Sequence, residues 1–237
     1  LHNEATGQVV YRPPSPERVP DLMGDLERYL HAEGPEDPLV RMAVAHHQFE
    51  TIHPFYDGNG RTGRIINILF LVREGLLDSP ILYLSRYISQ TKPQYYDELQ
   101  KVRETGEWEG WLLYLLNGVE VTARHTTQLI QAIGDLLQRH KHFIRANYKF
   151  YSQDLINNIF RHPYTKVSFV EKDLAVSRAT ATRYLDALAA PDSGILAKHR
   201  LGRENYYINR ELVRLLFDLP PMDIGPVNND SNRTATP

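Results

Sequence analysis

The chain has 237 residues, which is enough for one large domain or for a medium and a small one. Its net charge is −2 and its pI is about 6.6, so no overall positive field attracts it to nucleic acid or to a membrane surface. The absence of cysteine excludes disulfides, thiolate metal sites and cysteine nucleophiles, and no apolar run approaches the length of a membrane-spanning helix.

Residues 1–14 have the pattern of a β-hairpin. Ala5-Thr6-Gly7 predicts a turn and Val9 to Tyr11 a strand, which the prolines at 13, 14 and 16 end. The chain begins at Leu1 rather than Met, so we expect a fragment or a processed product with a segment missing upstream. The lack of cysteine favours a reducing, cytoplasmic location.

Two helices are predicted next, Glu17 to Ala32 and, after two prolines, Leu39 to Phe49. The second helix carries His46 and His47. Adjacent helical positions diverge by about 100°, so these two side chains cannot both bind one metal ion. We expect one histidine to be buried and the other exposed, both in structural roles.

Residues 53–64 read His-Pro-Phe-Tyr-Asp-Gly-Asn-Gly-Arg-Thr-Gly-Arg, and the apolar run Ile65 to Val72 predicts a buried helix after them. The three glycines of this segment predict a loop whose N–H groups point outward at a helix N-terminus, which suits an anion. His53 is a candidate base and Asp57 a candidate metal ligand. Arg61 and Arg64 are candidate phosphate clamps one helical turn apart.

The alternative is an ordinary polar loop, in which Gly forms the turn, Asp and Asn cap a helix, and Arg and His face solvent. It explains any two of these residues but not twelve consecutive positions that are mostly small, catalytic or phosphate-binding. The segment resembles the signature of the Fic family, His-Pro-Phe-x-Asp/Glu-Gly-Asn-Gly-Arg-x-x-Arg, with every fixed position filled. Similarity to bacterial Fic proteins with a C-terminal winged helix extends along nearly the whole chain.

Three helical segments follow the motif. Pro80 to Ile88 predicts a short helix or turn, Pro93 opens a helix through Arg103, and Trp108 begins a long amphipathic helix to about residue 140. By the resemblance, Tyr95 holds the adenine. Arg103 occupies a position at which many relatives have Asn.

A second unit is predicted from about Tyr148. Short helices, a helix capped by Ser177 and a final hairpin follow in the order of a winged helix. Arg178 and Arg183 lie where a recognition helix would meet DNA. Eight basic and five acidic residues between positions 164 and 210 leave an excess of +3, which is modest for a DNA-binding surface, so DNA and protein both remain candidate partners.

The resemblance implies a mainly α fold: a Fic helical bundle with a small β-hairpin flap, and a C-terminal winged helix-turn-helix domain. We predict a Fic domain over residues 1–145, with the flap at about 1–14, a winged-helix domain over 146–219, and a disordered tail over 220–237.

The implied reaction transfers AMP from ATP to a Ser, Thr or Tyr hydroxyl of a protein, with His53 as base and Mg²⁺ on Asp57. Phe55 is expected to point inward as a brace. A small residue at Gly60 favours AMP transfer, because relatives that transfer the γ-phosphate tend to have Lys there. The implied nucleotide-binding residues are Gly58, Asn59, Gly60, Arg61, Thr62, Gly63, Arg64 and Tyr95.

The implied partner is a protein substrate that adds as a strand to the flap at Gln8 to Tyr11. The chain itself is a further candidate substrate, a second copy a candidate partner, and no membrane is implied. Thr105 to Gly110 matches the inhibitory motif of the family by chance, so an inhibitory helix, if there is one, is expected upstream of Leu1. Two alternatives stay open: a nucleotide-responsive DNA-binding regulator, and removal of AMP from modified proteins.

Overall fold

The structure, a computed structural model, describes residues 11–217. One turn of 3-10 helix, Pro16–Arg18, precedes the first helix. The helices are α1 Val19–His31, α2 Pro38–Ile52, α3 Asn59–Arg73, α4 Leu84–Gln90, α5 Lys92–Thr105, α6 Glu109–Asn147, α7 Gln153–Arg161, α8 Val167–Leu174, α9 Arg178–Leu188 and α10 Arg210–Phe217. The strands are β1 Tyr164–Lys166, β2 Leu196–Leu201 and β3 Glu204–Asn209. The prediction of a mainly α protein with little β structure is confirmed.

The chain divides into two compact units inside the long helix α6, after Thr126. In the first unit α2 is the central helix, because its residues belong to three separate apolar clusters. Phe49 packs with residues of α1, Met42 with residues of α3, and Ala43 with residues of α4, α5 and α6. The indole N–H of the fully buried Trp111 donates to the carbonyl of Ala43 over 2.9 Å, which ties α6 to α2.

The second unit is a small helical domain with a three-stranded antiparallel sheet in the order β1-β3-β2. Gly202, at φ +61°, makes the turn between β2 and β3, a conformation that glycine adopts without strain. The Ser177 hydroxyl accepts from the N–H of Thr180 and caps α9, as its sequence predicts. The core of this unit is built from residues of α6 to α9, from Leu196 at the start of β2 and Ile195 just before it, and from Tyr207 of β3.

The helix after the motif differs from the prediction in two respects. It already begins at Asn59, so the arginines of the motif are helical residues. It is also not buried on all sides, since Ile65 and Leu69 are 57% and 56% exposed. The single polar residue of the apolar run, Asn67, is buried instead. The apolar run therefore does not show which face meets the core.

The prediction that one of His46 and His47 is exposed is wrong, because both are buried. His46 packs parallel to Trp111, and the Nε2 atom of His47 lies 3.2 Å from the carbonyl oxygen of Leu99. Burial lowers the pKa of each imidazole to about 4. Both side chains are therefore neutral parts of the core at neutral pH.

The predicted flap up to Val10 and the predicted tail over 220–237 lie outside the described residues. Within residues 11–217, no helix has both the length and the apolar character that crossing a bilayer requires.

Candidate active site

His53 ends helix α2 in a left-handed conformation, with φ 52° and ψ 56°, and its N–H donates to the carbonyl of Phe49 over 3.0 Å. This backbone conformation turns the chain sharply out of the helix and into the motif loop. Burial lowers the pKa of the imidazole, and the positive charge of Arg103 lowers it further, while a backbone contact with Glu50 opposes both. A neutral imidazole is the form that can accept a proton.

The loop that follows is closed by the side-chain amide of Asn59. Its Oδ1 atom accepts from the N–H of Phe55 over 2.9 Å, and its Nδ2 atom donates to the carbonyl of Phe55 over 2.6 Å. Asn59 is buried, so both of its polar atoms are used to shape the loop. Phe55 itself is 49% exposed, which corrects the expectation that its ring points inward.

Gly58 supplies the turn into helix α3 with φ +86°. The carboxylate Oδ1 of Asp57 accepts from the N–H of Gly58 over 2.7 Å, and the N–H of Thr62 donates to the carbonyl of Gly58 over 2.9 Å. As in any α-helix, the N–H groups of the first turn, from Asn59 onward, have no carbonyl partner within the helix. These groups and the helix dipole make the start of α3 suitable for an anion.

The two motif arginines lie on α3 but bind different partners. Arg61 donates to the Oδ2 atom of Asp57 over 2.9 Å at the exposed rim of the loop. Arg64 donates from Nε to the hydroxyl of Ser85 on α4 over 2.8 Å. A Cβ atom at Gly60 would lie 3.1 Å from the Nη1 atom of Arg64, so glycine there leaves room for this guanidinium.

The third glycine of the motif, Gly63, has a packing role in this structure. A Cβ atom there would lie 2.9 Å from the Oε1 atom of Glu50, and 3.1 Å from both a carbon of His46 and a carbon of Phe49. The three contacts all come from α2. Gly63 therefore allows α3 to approach the central helix closely, and the spacing of the motif does not reveal this.

Glu50, which helix α2 carries toward the motif together with His46 and His47 and whose sequence position indicates only a structural role, is a buried acid beside the site. Its side chain is 7% exposed, and its Oε1 atom has no hydrogen-bond partner among the described residues. Burial raises the pKa of the carboxyl group to about 7, although Arg64 and Arg103 both lower it. The only available signal in the sequence was a carboxylate on the apolar helix that leads into the motif.

The family models account for both units. Residues 2–71 match the model of the Fic/DOC family, and residues 136–212 match the model named protein adenylyltransferase SoFic-like, C-terminal domain. The chain carries a Fic/DOC family domain. The motif at 53–64, identified from its residues, falls inside the first match.

Named relatives of this Fic chain are protein adenylyltransferases. It is 40% identical over 79 residues to the probable protein adenylyltransferase aq_aa38 of Aquifex aeolicus (strain VF5), covering 33% of the chain and 25% of that protein. It is 32% identical over 123 residues to protein adenylyltransferase fic-1 of Caenorhabditis elegans, covering 51% of the chain and 22% of that protein. The chain thus spans about a quarter of the length of these curated relatives.

Among solved structures, a Fic family protein from Desulfovibrio desulfuricans G20 is similar with a TM-score of 0.49 and 23% identity. The similarity covers 88% of this chain and 59% of that one.

Tyr95, which the Fic resemblance implies as the adenine contact, lies inside the first unit. It is 3% exposed, its hydroxyl lies 3.1 Å from the Nε2 atom of His46, and its ring contacts Trp111 and Tyr114. Neither face of this ring is open to solvent in the structure. The neighbouring Tyr96 is 53% exposed. The role of Tyr95 therefore stays a prediction that requires the ring to become uncovered.

The candidate ligand for a magnesium ion is a single carboxylate, that of Asp57. It is exposed at the rim of the loop, where its Oδ1 atom accepts from the N–H of Gly58 and its Oδ2 atom from Arg61. Mg²⁺ is typically held by one or two carboxylates, with water and substrate phosphates as its other ligands. Within residues 11–217 no group of three or more His, Asp or Glu side chains is placed to hold a metal ion.

On the second unit of this Fic protein, several basic side chains are paired with acidic ones. Arg178 lies 3.6 Å from Glu171, and Lys198 lies 2.7 Å from Asp186. Arg183 lies over the ring of Tyr184. Both acids are already included in the positive excess of +3, so the pairs do not change it, but they place a negative charge directly beside two of the basic side chains.

Proposed function

We propose that this chain is a protein adenylyltransferase, which transfers AMP from ATP to a hydroxyl side chain of a protein. The observation that carries the proposal is the position of His53, at the end of α2, directly before a loop and helix start suited to phosphate. The names of the relatives support the same reaction. In this reaction the hydroxyl oxygen bonds to the α-phosphorus, the bond to pyrophosphate breaks, and the hydroxyl proton is removed.

His53 accepts the hydroxyl proton. Its pKa is lowered by burial and by Arg103, so the imidazole is unprotonated at neutral pH. A positioned base of this kind contributes roughly a hundredfold to ten-thousandfold to a rate. His53 has left-handed backbone dihedrals, so the chain leaves α2 at this residue and enters the loop directly after it.

The phosphates are held by the start of α3. The free N–H groups of Asn59 and Gly60 bind phosphate oxygens, the N–H of Gly58 joins them when Asp57 releases it, and Thr62 and Gly63 continue the same helix. Arg61 and Arg64 neutralise the outer phosphates and the leaving pyrophosphate. Asn59 contributes by shaping the loop, since both atoms of its amide are bonded to Phe55.

Asp57 would hold Mg²⁺, and the ion would supply neutralisation of charge on the phosphate oxygens. Arg61 would then leave Asp57 and bind phosphate. Gly60 keeps space for Arg64 at the phosphates, and this space supports transfer of AMP rather than of the γ-phosphate.

The test uses ATP labelled at the α- or the γ-phosphate, with the chain itself and a mixed protein lysate as acceptors. We expect α-label to enter protein with the wild type and with His142→Ala, an exposed-histidine control, and to be lost with His53→Ala. Protein labelling from γ-labelled ATP, or equal α-labelling by His53→Ala, would contradict the proposal. Failure of the wild type to incorporate α-label while it releases AMP from a labelled protein would favour the reverse reaction.

We also propose that the second unit is a winged helix that docks protein rather than DNA. The order of α7, β1, α8, α9 and the β2–β3 hairpin supports the fold, and the ion pairs of Arg178 and Lys198 argue against a surface dedicated to phosphate. A gel-shift assay with random duplex DNA, comparing the wild type with Arg178→Ala/Arg183→Ala, tests this. Salt-sensitive binding that the double variant loses would identify a DNA-binding unit instead. The domain limits 1–145 and 146–219 stay predictions.

A further inference from the structure

Arg103 of α5 binds the last turn of α2, immediately before His53. Its Nη2 atom donates to the carbonyl oxygen of Glu50 over 2.9 Å, and its Nε atom donates to the hydroxyl of Thr51 over 3.2 Å. The carbonyl groups at the end of a helix carry partial negative charge, so a guanidinium there is favourable. The planar guanidinium of Arg103 thus holds two residues in the last turn of α2. These residues set the direction in which the chain enters His53.

The same guanidinium lies against Tyr11, at 3.8 Å from the centre of the ring. The Tyr11 hydroxyl in turn donates to the carbonyl oxygen of Thr51 over 2.8 Å. Tyr11 is the last residue of the predicted substrate-binding strand, Gln8 to Tyr11. Arg103, Tyr11 and Thr51 therefore form a closed triangle of contacts between Tyr11 and the end of α2.

Arg103 also acts on the site through its charge. It lowers the pKa of His53, after burial, and it lowers that of the Glu50 carboxyl. The other charged group near Glu50 is Arg64 of α3. Because three contacts hold the guanidinium of Arg103, its positive charge stays at a constant position relative to the His53 imidazole.

We propose that Arg103 is a positioning residue, which holds His53 in register with Tyr11, the residue at which the predicted substrate-binding segment ends. This inference rests on the proposed function. Arg103 acts through Thr51 and Tyr11 and does not itself contact the reacting atoms. A lysine at this position would keep the charge but could not donate to two acceptors in one plane while stacking on a ring.

The first test measures His53 directly, without turnover. Protein labelled with ¹⁵N-histidine is titrated by NMR, and the His53 signal is assigned by its absence from His53→Gln. We expect Arg103→Gln to raise the pKa of His53, because one nearby cation is removed, and Arg103→Lys to leave it close to the wild type. Lys101→Gln, which removes an exposed cation from the same helix, is the matched control. An unchanged pKa in Arg103→Gln would overturn the electrostatic part of the inference.

The second test measures self-labelling with α-labelled ATP. We expect Arg103→Lys to lower the rate at saturating ATP by about 10- to 100-fold, with little change in the KM for ATP, because the reacting groups are misaligned while nucleotide binding remains. Tyr11→Leu should give a similar loss, and the Arg103→Lys/Tyr11→Leu pair should lose little more than either alone. A wild-type rate in Arg103→Lys, or a raised KM with an unchanged saturating rate, would overturn the positioning role.

The two tests separate this inference from the proposed function. If the wild type incorporates no α-label, the proposed function fails, and the NMR titration still reports the coupling between Arg103 and His53. If the wild type is labelled and the Arg103 variants match it in rate and in the pKa of His53, only the positioning role fails. Thermal unfolding of Arg103→Lys verifies that the variant is folded.

Discussion

Asp57 and Arg61 form an ion pair across one turn of the loop and helix, with 2.9 Å between Oδ2 and Nη2. Asp57, the predicted metal ligand, and Arg61, one of the predicted phosphate-binding arginines, thus neutralise each other's charge. Both side chains are largely exposed, and such pairs contribute only about 0.3–0.5 kcal/mol. Separating them therefore requires little free energy when a cation and a phosphate become available, and the pair keeps both side chains at the rim of the site until then.

Asp57→Asn should raise the Mg²⁺ concentration needed for half-maximal labelling from α-labelled ATP. An amide oxygen is a much weaker ligand than a carboxylate, so we expect an increase of about tenfold or more. A magnesium titration at fixed ATP measures this. Asp78→Asn, an exposed aspartate after α3, is the control and should behave as the wild type does. A wild-type titration curve for Asp57→Asn would exclude the carboxylate as the ligand.

Ser85→Ala should weaken ATP binding through Arg64. The hydroxyl accepts the Nε hydrogen bond of Arg64, and without it the guanidinium loses one orienting contact. A hydrogen bond to a charged group contributes about 1.5–3 kcal/mol, so a KM for ATP raised about 10-fold is expected. Ser89→Ala, an exposed serine of the same helix, should leave the KM unchanged. If Ser85→Ala also leaves it unchanged, Arg64 is positioned by other contacts.

Gly63→Ala should destabilise the first unit by about 1–3 kcal/mol, since the new methyl group would be forced against three side chains of α2. Gly24→Ala is the matched control. Its Cβ would lie 3.5 Å from the flexible end of Arg28, within helix α1, so it should be neutral or stabilise by up to about 1 kcal/mol. Urea unfolding followed by tryptophan fluorescence reports this unit alone, because both tryptophans, Trp108 and Trp111, belong to it. Equal stability of the two variants would contradict the packing role of Gly63.

Glu50→Gln should make the first unit more stable at high pH and leave it unchanged at low pH. The pKa of the carboxyl is about 7 when folded and 4.5 in the ordinary case, so the folded state binds this proton more tightly. The free energy of unfolding of the wild type therefore falls as pH rises from about 4.5 to 7. We expect the variant to exceed the wild type by about 2–3 kcal/mol at pH 8.

Urea unfolding at pH 5 and at pH 8 checks the prediction, with the exposed Glu27→Gln as control. A variant advantage that is the same at both pH values would mean that Glu50 does not titrate in this range. A wild type that is more stable than Glu50→Gln at pH 8 would mean that the ionised carboxyl is stabilised by Arg64 and Arg103 more than burial destabilises it.

Tyr96→Ala and Tyr95→Phe distinguish the two tyrosines. Tyr96 has an exposed ring, and loss of a base-stacking ring reduces binding by about 1–3 kcal/mol. If Tyr96 contacts the base, its variant raises the KM for ATP about 10-fold or more. Tyr95→Phe keeps the ring and removes the contact to His46, so it should lower stability and leave the KM unchanged. An unchanged KM in Tyr96→Ala would mean that the ring of Tyr96 does not stack on the base.

The sequence by itself determined what is local in this protein. The motif over residues 53–64, the turn at Gly58 and the cap at Ser177 depend on neighbours within a few positions. Backbone geometry and hydrogen bonds at that range follow from residue type and spacing. The helical character of the chain and its Fic/DOC domain could be predicted for the same reason, because both are carried by short patterns.

Only the tertiary structure decided which side chains meet across the fold. Arg64 meets Ser85, and Arg103 meets Tyr11 and Thr51, although these partners are far apart in the chain. Periodicity shows which face of a helix is apolar, but it does not show which other helix covers that face. For that reason the burial of Glu50, and with it the environment of the base His53, depends on how α2, α3 and α5 pack together.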